Sequence, residues 1–169
     1  AVSSSGATGI AQFLKRTWWE YTRDGKVITT WKEQEEAWNK EKDTVQVSLR
    51  MTDQMRVFGE LVSDNYHYIT HYAGEAALKT LREQFISEED FLKGLMSPLM
   101  VNAYNAGGPL IGRTLKKFVE AVPVEKMASG WELFQQFTEF AKKTEKQYRT
   151  EQEEYTYKVT AFNKKLKKV

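Results

Sequence analysis

Apolar residues recur at helical spacing along most of this chain, and glycine or proline closes the segments that carry them. In residues 51–74, Met51, Met55, Phe58, Leu61 and Val62 form one stripe that Tyr66, Ile69 and Tyr72 continue. That period predicts a long helix, with Gly74 as its stop. Ser87 followed by Asp90 reads as a capping box opening the next helical run. Pro98 predicts a kink or an interruption inside that run. The segment GPLIGRTLKKFVEAVP predicts a helix with Pro109 at its first position and Pro123 beyond its end. Further upstream, Thr29 or Thr30 can cap a helix that sets Trp31 and Trp38 on one face.

From Glu125 the pattern predicts one or two long amphipathic helices. Trp131, Phe134, Phe137 and Phe140 or Ala141 recur at helical spacing, and Tyr148, Tyr155, Val159 and Phe162 follow. Four large aromatics form too big a patch to leave exposed, so residues 129–148 are expected to pack back on the preceding domain. Gln135, Glu139, Lys142 and Lys146 then form the solvated face. Only VITT and VQVSL read as strands, and both are short. The expected fold class is mainly α, with residues 1–124 as one domain and 125–169 as a helical extension packed on it.

Composition narrows the function classes. The 169 residues suffice for a single domain with a real core. No cysteine is present, which excludes a disulfide framework, a thiolate metal site and a cysteine nucleophile. A net charge of +2 is too small to argue for a nucleic-acid partner. No apolar run reaches the length of a membrane span. Aromatics make up 13% of the chain, which suits a groove for flat apolar ligand faces and equally an aromatic core.

Several local patterns carry possible chemistry. GGPLIGRT is close to a phosphate-binding loop, but Arg113 stands where lysine is needed and the preceding segment reads as helix rather than strand. His67 and His71 lie four apart on the predicted helix with Glu75 after them. No third metal ligand is signalled, and a pair of surface histidines is the simpler reading, so no metal or cofactor is expected. Glu60 and Glu75 lie in largely apolar surroundings and are the internal carboxylates that could be desolvated. Charged helical residues are mostly exposed, and the same is expected of these two.

Two further stretches are not explained by helix periodicity. One is AVSSSGATGIAQ, Ala1 to Gln12. The other is NAYNAGG, Asn102 to Gly108. Together they resemble the lytic transglycosylases of the lysozyme-like superfamily. The first stretch fits that family's block A-x-S-x-x-G-A-x-G-[LI]-x-Q. Ala103-Tyr104-Asn105-Ala106-Gly107 fits its block A-Y-N-A-G. The likeness covers residues 1 to about 117 and leaves the C-terminal helices unexplained.

The resemblance implies a goose-type, lysozyme-like helical domain that acts on peptidoglycan in the periplasm or cell envelope. It implies cleavage of the β-1,4 bond between N-acetylmuramic acid and N-acetylglucosamine, with a 1,6-anhydro product and no cofactor. Ser3, Gln12, Tyr104 and Asn105 are the implied substrate-binding residues. The family's catalytic glutamate precedes the position matching Ala1, so the general acid is expected upstream of these residues and no catalytic residue is assigned within them. A second reading is a non-catalytic module of the same fold. It would hold peptidoglycan strands, or a protein partner through the C-terminal helices.

Overall fold

A computed structural model of the chain describes residues 13–22 and 51–148. Every regular element among the described residues is helical, and no strand occurs there. The order is α1 (Lys15–Thr22), α2 (Met51–Ala73), α3 (Glu75–Arg82), α4 (Glu88–Phe91), a π turn (Leu92–Met96), α5 (Ser97–Ala106), α6 (Gly108–Ala121), a 3-10 turn (Val124–Lys126) and α7 (Trp131–Thr144). VITT, VQVSL, the Trp31–Trp38 helix and everything after Tyr148 lie outside the described residues. The chain separates into two compact units, Ala1–Ser63 and Asp64–Val169.

In the first unit, Trp18 is fully buried, and its ring lies 5.3 Å from Phe13 at a tilt. Thr22 Oγ1 donates to Trp18 O at 2.8 Å, which secures the last turn of α1. Arg56 and Glu60 form an i,i+4 pair at 3.6 Å on α2, exposed enough to add little stability.

The second unit has one core, to which α2 contributes Ile69 and Ala73, α3 Leu78 and Leu81, and α5 Leu99 and Ala103. Ile111, Leu115 and Phe118 enter it from α6. Leu133, Phe134, Phe137 and Ala141 enter it from α7, so the aromatic stripe after residue 129 packs inward as its spacing predicts. Phe118 meets Phe137 edge-on at 6.0 Å and Phe140 at 5.5 Å, a geometry that aromatic quadrupoles favour. Gln135, Glu139, Lys142 and Lys146 are exposed. The helix stops at Thr144, and a short turn brings Tyr148 back into the core. Gln136 steadies the approach to α7: it accepts from Ala128 N–H at 2.9 Å and donates to Lys126 O at 2.8 Å.

Three sequence expectations at helix boundaries meet the structure closely. Ser87 is the N-cap of α4, accepting from Asp90 N–H at 3.1 Å. Gly74 ends α2 with φ +83°, a conformation L side chains avoid. Pro109 lies in the first turn of α6, one place after the helix begins at Gly108. At Pro98 the chain does not break. A proline has no N–H for the residue four back, and its ring crowds that residue's carbonyl. The widened π turn Leu92–Met96 ends two residues before Pro98 and includes Gly94, the residue four back, so the helical course continues into α5.

The stripe on α2 differs from expectation. Met55, Phe58 and Tyr72 are exposed, while Asp53, Gln54, Val57, Asn65, Ile69 and Ala73 are buried. Apolar identity misjudges the face because polar side chains occupy part of the buried one.

Candidate functional site

The corner between α5 and α6 contains the second of the two sequence blocks. Its course follows from small residues. Gly107 sits between the helices with φ +87°, so the chain reverses there without a Cβ penalty. Gly108 is buried against α2. A Cβ at Gly108 would stand 2.8 Å from Tyr68 Cβ and 3.0 Å from Asn65 O. One turn later, a Cβ at Gly112 would stand 2.8 Å from both Ile69 O and Tyr72 Cβ. The two glycines therefore let α6 approach the backbone of α2 more closely than any other residue would allow. That contact accounts for Gly108 and Gly112 of GGPLIGRT, which face a neighbouring helix, while Gly107 makes the turn.

Asn65 completes the junction. Its Oδ1 accepts from Gly108 N–H at 3.3 Å. The first N–H groups of a helix have no partner within it, so an acceptor from another helix satisfies one of them. Nothing in the sequence period marks Asn65 for this, except that a polar residue stands four places from Ile69 on the inward face.

Within the block itself, Asn102 and Ala103 are buried, Tyr104 is half-buried and Asn105 is exposed on the last turn of α5. Asn102 is fully enclosed. Its Nδ2 donates to Tyr148 Oη, while its Oδ1 has no hydrogen-bond partner. Tyr148 also packs edge-on against Phe137 at 6.5 Å. Lys117 and Glu145 form an ion pair, so the turn after α7 is tied to both α5 and α6. Sequence reasoning missed Asn102 and Tyr148 as a pair. The available signal was a polar residue amid apolar neighbours on a helix, with no indication of its distant partner.

Of the four implied substrate-binding residues, Tyr104 and Asn105 adjoin each other at this corner, and Ser3 and Gln12 lie outside the described residues. Glu60 is engaged by Arg56, and Glu75 is exposed at the start of α3. Neither has the enclosed apolar setting that a protonated general acid needs. His67 and His71 are exposed and make edge contacts with Tyr66 and Tyr72 at 6.0 and 5.0 Å. Among the described residues no three His, Asp or Glu side chains cluster as metal ligands would.

A separate groove of about 350 Å³ lies at the other end of the α2–α6 contact. Gly74 and the start of α3 border it on one side, and Lys116, Val119 and Glu120 of α6 on the other. No described helix is long and apolar enough to cross a membrane. No family model, curated protein or solved structure matches this chain.

Proposed function

We propose that this chain is part of a peptidoglycan lytic transglycosylase with a lysozyme-like fold, acting in the periplasm or cell envelope. The observation that carries the proposal is the presence of two blocks in family order, Ala1–Gln12 and Ala103–Gly107. The helical architecture is compatible with it. Asn105 is exposed and Tyr104 half-buried beside the glycine turn, so both have surface to offer a glycan.

On this reading a glutamate preceding Ala1 protonates the oxygen that leaves when the bond to N-acetylglucosamine breaks. The muramoyl 6-hydroxyl then closes onto the anomeric carbon and passes its proton to that glutamate, now a carboxylate, which gives the 1,6-anhydro end and restores the acid. Tyr104, Asn105, Gln12 and Ser3 hold the sugars in register. The protein supplies position and one carboxyl group that lends a proton and takes one back, and needs no cofactor.

The test is digestion of purified peptidoglycan by the protein with the residues before Ala1 included, read by mass spectrometry of the released muropeptides. The expected products carry anhydro ends. Residues 1–169 alone should be slower by about 10²–10⁴-fold, the usual contribution of general acid catalysis. Products with reducing ends would make it a hydrolase and overturn the proposed chemistry.

The second reading is a non-catalytic glycan-binding module. It is favoured by the settings of Glu60 and Glu75, neither of which is enclosed. Co-sedimentation with peptidoglycan without any release of muropeptides would select it. Neither cleavage nor co-sedimentation would remove both.

A further inference from the structure

The groove beside Gly74 has a chemical character of its own. Lys116, Glu75 and Glu120 line it, and among the described residues none of these charges makes an ion pair with another. Charges of both signs thus face one concavity without neutralising each other. Ala73, Ala76 and Ala77 also line it, and of these Ala76 is exposed. One wall is held in place: the Arg113 guanidinium lies 5.3 Å from the Tyr72 ring centre, and the His71 ring meets Tyr72 edge-on at 5.0 Å. Thr80 Oγ1 donates to Ala76 O at 3.1 Å, and its two lone pairs remain able to accept.

A neutral sugar would leave all three charges unmatched, and a simple anion would meet two carboxylates. A molecule with a cationic and an anionic end matches both signs. Its length can also be argued. Lys116 and Glu120 are one helical turn apart, so their stems are separated by about 5–6 Å. Two extended residues of peptide span about 7 Å, whereas the two charges of a single amino acid are closer than one turn. We propose that this groove binds the free ends of a short dipeptide with small side chains. The carboxylate lies at Lys116, the ammonium at Glu120 and Glu75, and a methyl group against Ala76. The proposal does not depend on glycan cleavage.

The test uses the whole chain, ¹⁵N-labelled, with alanyl-alanine as the probe. Its N-acetylated and C-amidated forms serve as controls. Saturable shifts are expected at the amides of Gly74, Thr80 and Val119. Capping either end should weaken binding about tenfold, the usual effect of losing one charge-assisted hydrogen bond. Glu120→Gln should weaken binding of the free dipeptide but leave the N-acetylated form unchanged. Lys116→Met should weaken the free dipeptide but leave the amidated form unchanged. Shifts that never saturate would overturn the proposal, as would equal affinity for free and capped peptides. The capped peptides test it on the unaltered protein, whatever the fate of either variant.

Discussion

The α7 stripe and the α5–α6 corner are both parts of one core, and they are built on opposite principles. In α7, large aromatics fill space: Phe134 and Phe137 are completely enclosed, and the opposite face is charged. At the corner, space is removed instead. Gly107 turns the chain, Gly108 and Gly112 let two helix backbones meet, and Asn65 and Asn102 place polar groups where the aromatics would be. The first arrangement is governed by apolar area, which is non-directional and tolerant of small shifts. The second depends on close van der Waals fit and hydrogen-bond geometry, where an added methyl group has nowhere to go.

The largest expected effect lies in the stripe. Phe134→Ala removes a fully buried ring that also contacts Trp131 at 5.0 Å. A loss of about 3–5 kcal/mol is expected, from lost transfer energy plus the cavity left behind. Chemical denaturation checks it. A loss below about 0.5 kcal/mol, the scale of surface changes, would mean that α7 is not integral to the core.

Next comes the link between the two regions. Tyr148→Phe keeps the ring against Phe137 but removes the hydroxyl that accepts from Asn102 Nδ2. Both polar ends of the Asn102 amide would then be buried without a protein partner, at a cost of about 1–3 kcal/mol. The double variant Tyr148→Phe with Asn102→Leu should recover part of the loss, because an apolar side chain of similar shape leaves no amide to satisfy. Additive losses in that cycle would show that the hydrogen bond contributes nothing.

Gly112→Ala distinguishes packing from helix propensity. Alanine is favoured over glycine inside a helix by about 1 kcal/mol, so propensity alone makes the variant more stable. The contact with α2 makes it less stable: overpacking typically costs about 1–3 kcal/mol, and here the obstacle is the backbone oxygen of Ile69. A lowered thermal midpoint is expected. Gly59 has nothing within 4 Å of a built Cβ, so Gly59→Ala should raise the midpoint and serves as the control.

These contrasts explain what the sequence made legible. Trp131, Phe134 and Phe137 announce their face through size and period, and Ser87, Gly74 and Pro109 announce helix ends through backbone chemistry. The face of α2 was misjudged because Asn65 goes inward for a hydrogen bond that depends on a glycine 43 positions away. The kink or interruption expected at Pro98 takes the form of a π turn, since the chain had a route that keeps the helix going. At the corner, composition drew attention to NAYNAGG, yet the same glycines and asparagines suit a binding site or a tight helix junction. Gly107, Gly108 and Asn102 have structural duties in hand. Tyr104 is half-buried, and that leaves Asn105, exposed on the last turn of α5, as the polar residue of the block whose presence packing does not explain.

Asn105→Ala therefore carries the smallest expected effect on stability and the sharpest bearing on function. The side chain is exposed, so its loss should change stability by no more than about 0.5 kcal/mol. Alanine has the higher helix propensity, and any change should be slightly favourable. If Asn105 holds a glycan, the same substitution should weaken retention on peptidoglycan by about tenfold, the usual range for a lost ligand hydrogen bond. The two measurements are made on one variant, thermal unfolding for the first and co-sedimentation for the second. Unchanged retention with an unchanged midpoint would leave Asn105 without a role and remove it from the proposed site. A large drop in midpoint would mean instead that the corner is packed through its last residue, and that the likeness to the family block reflects folding rather than binding.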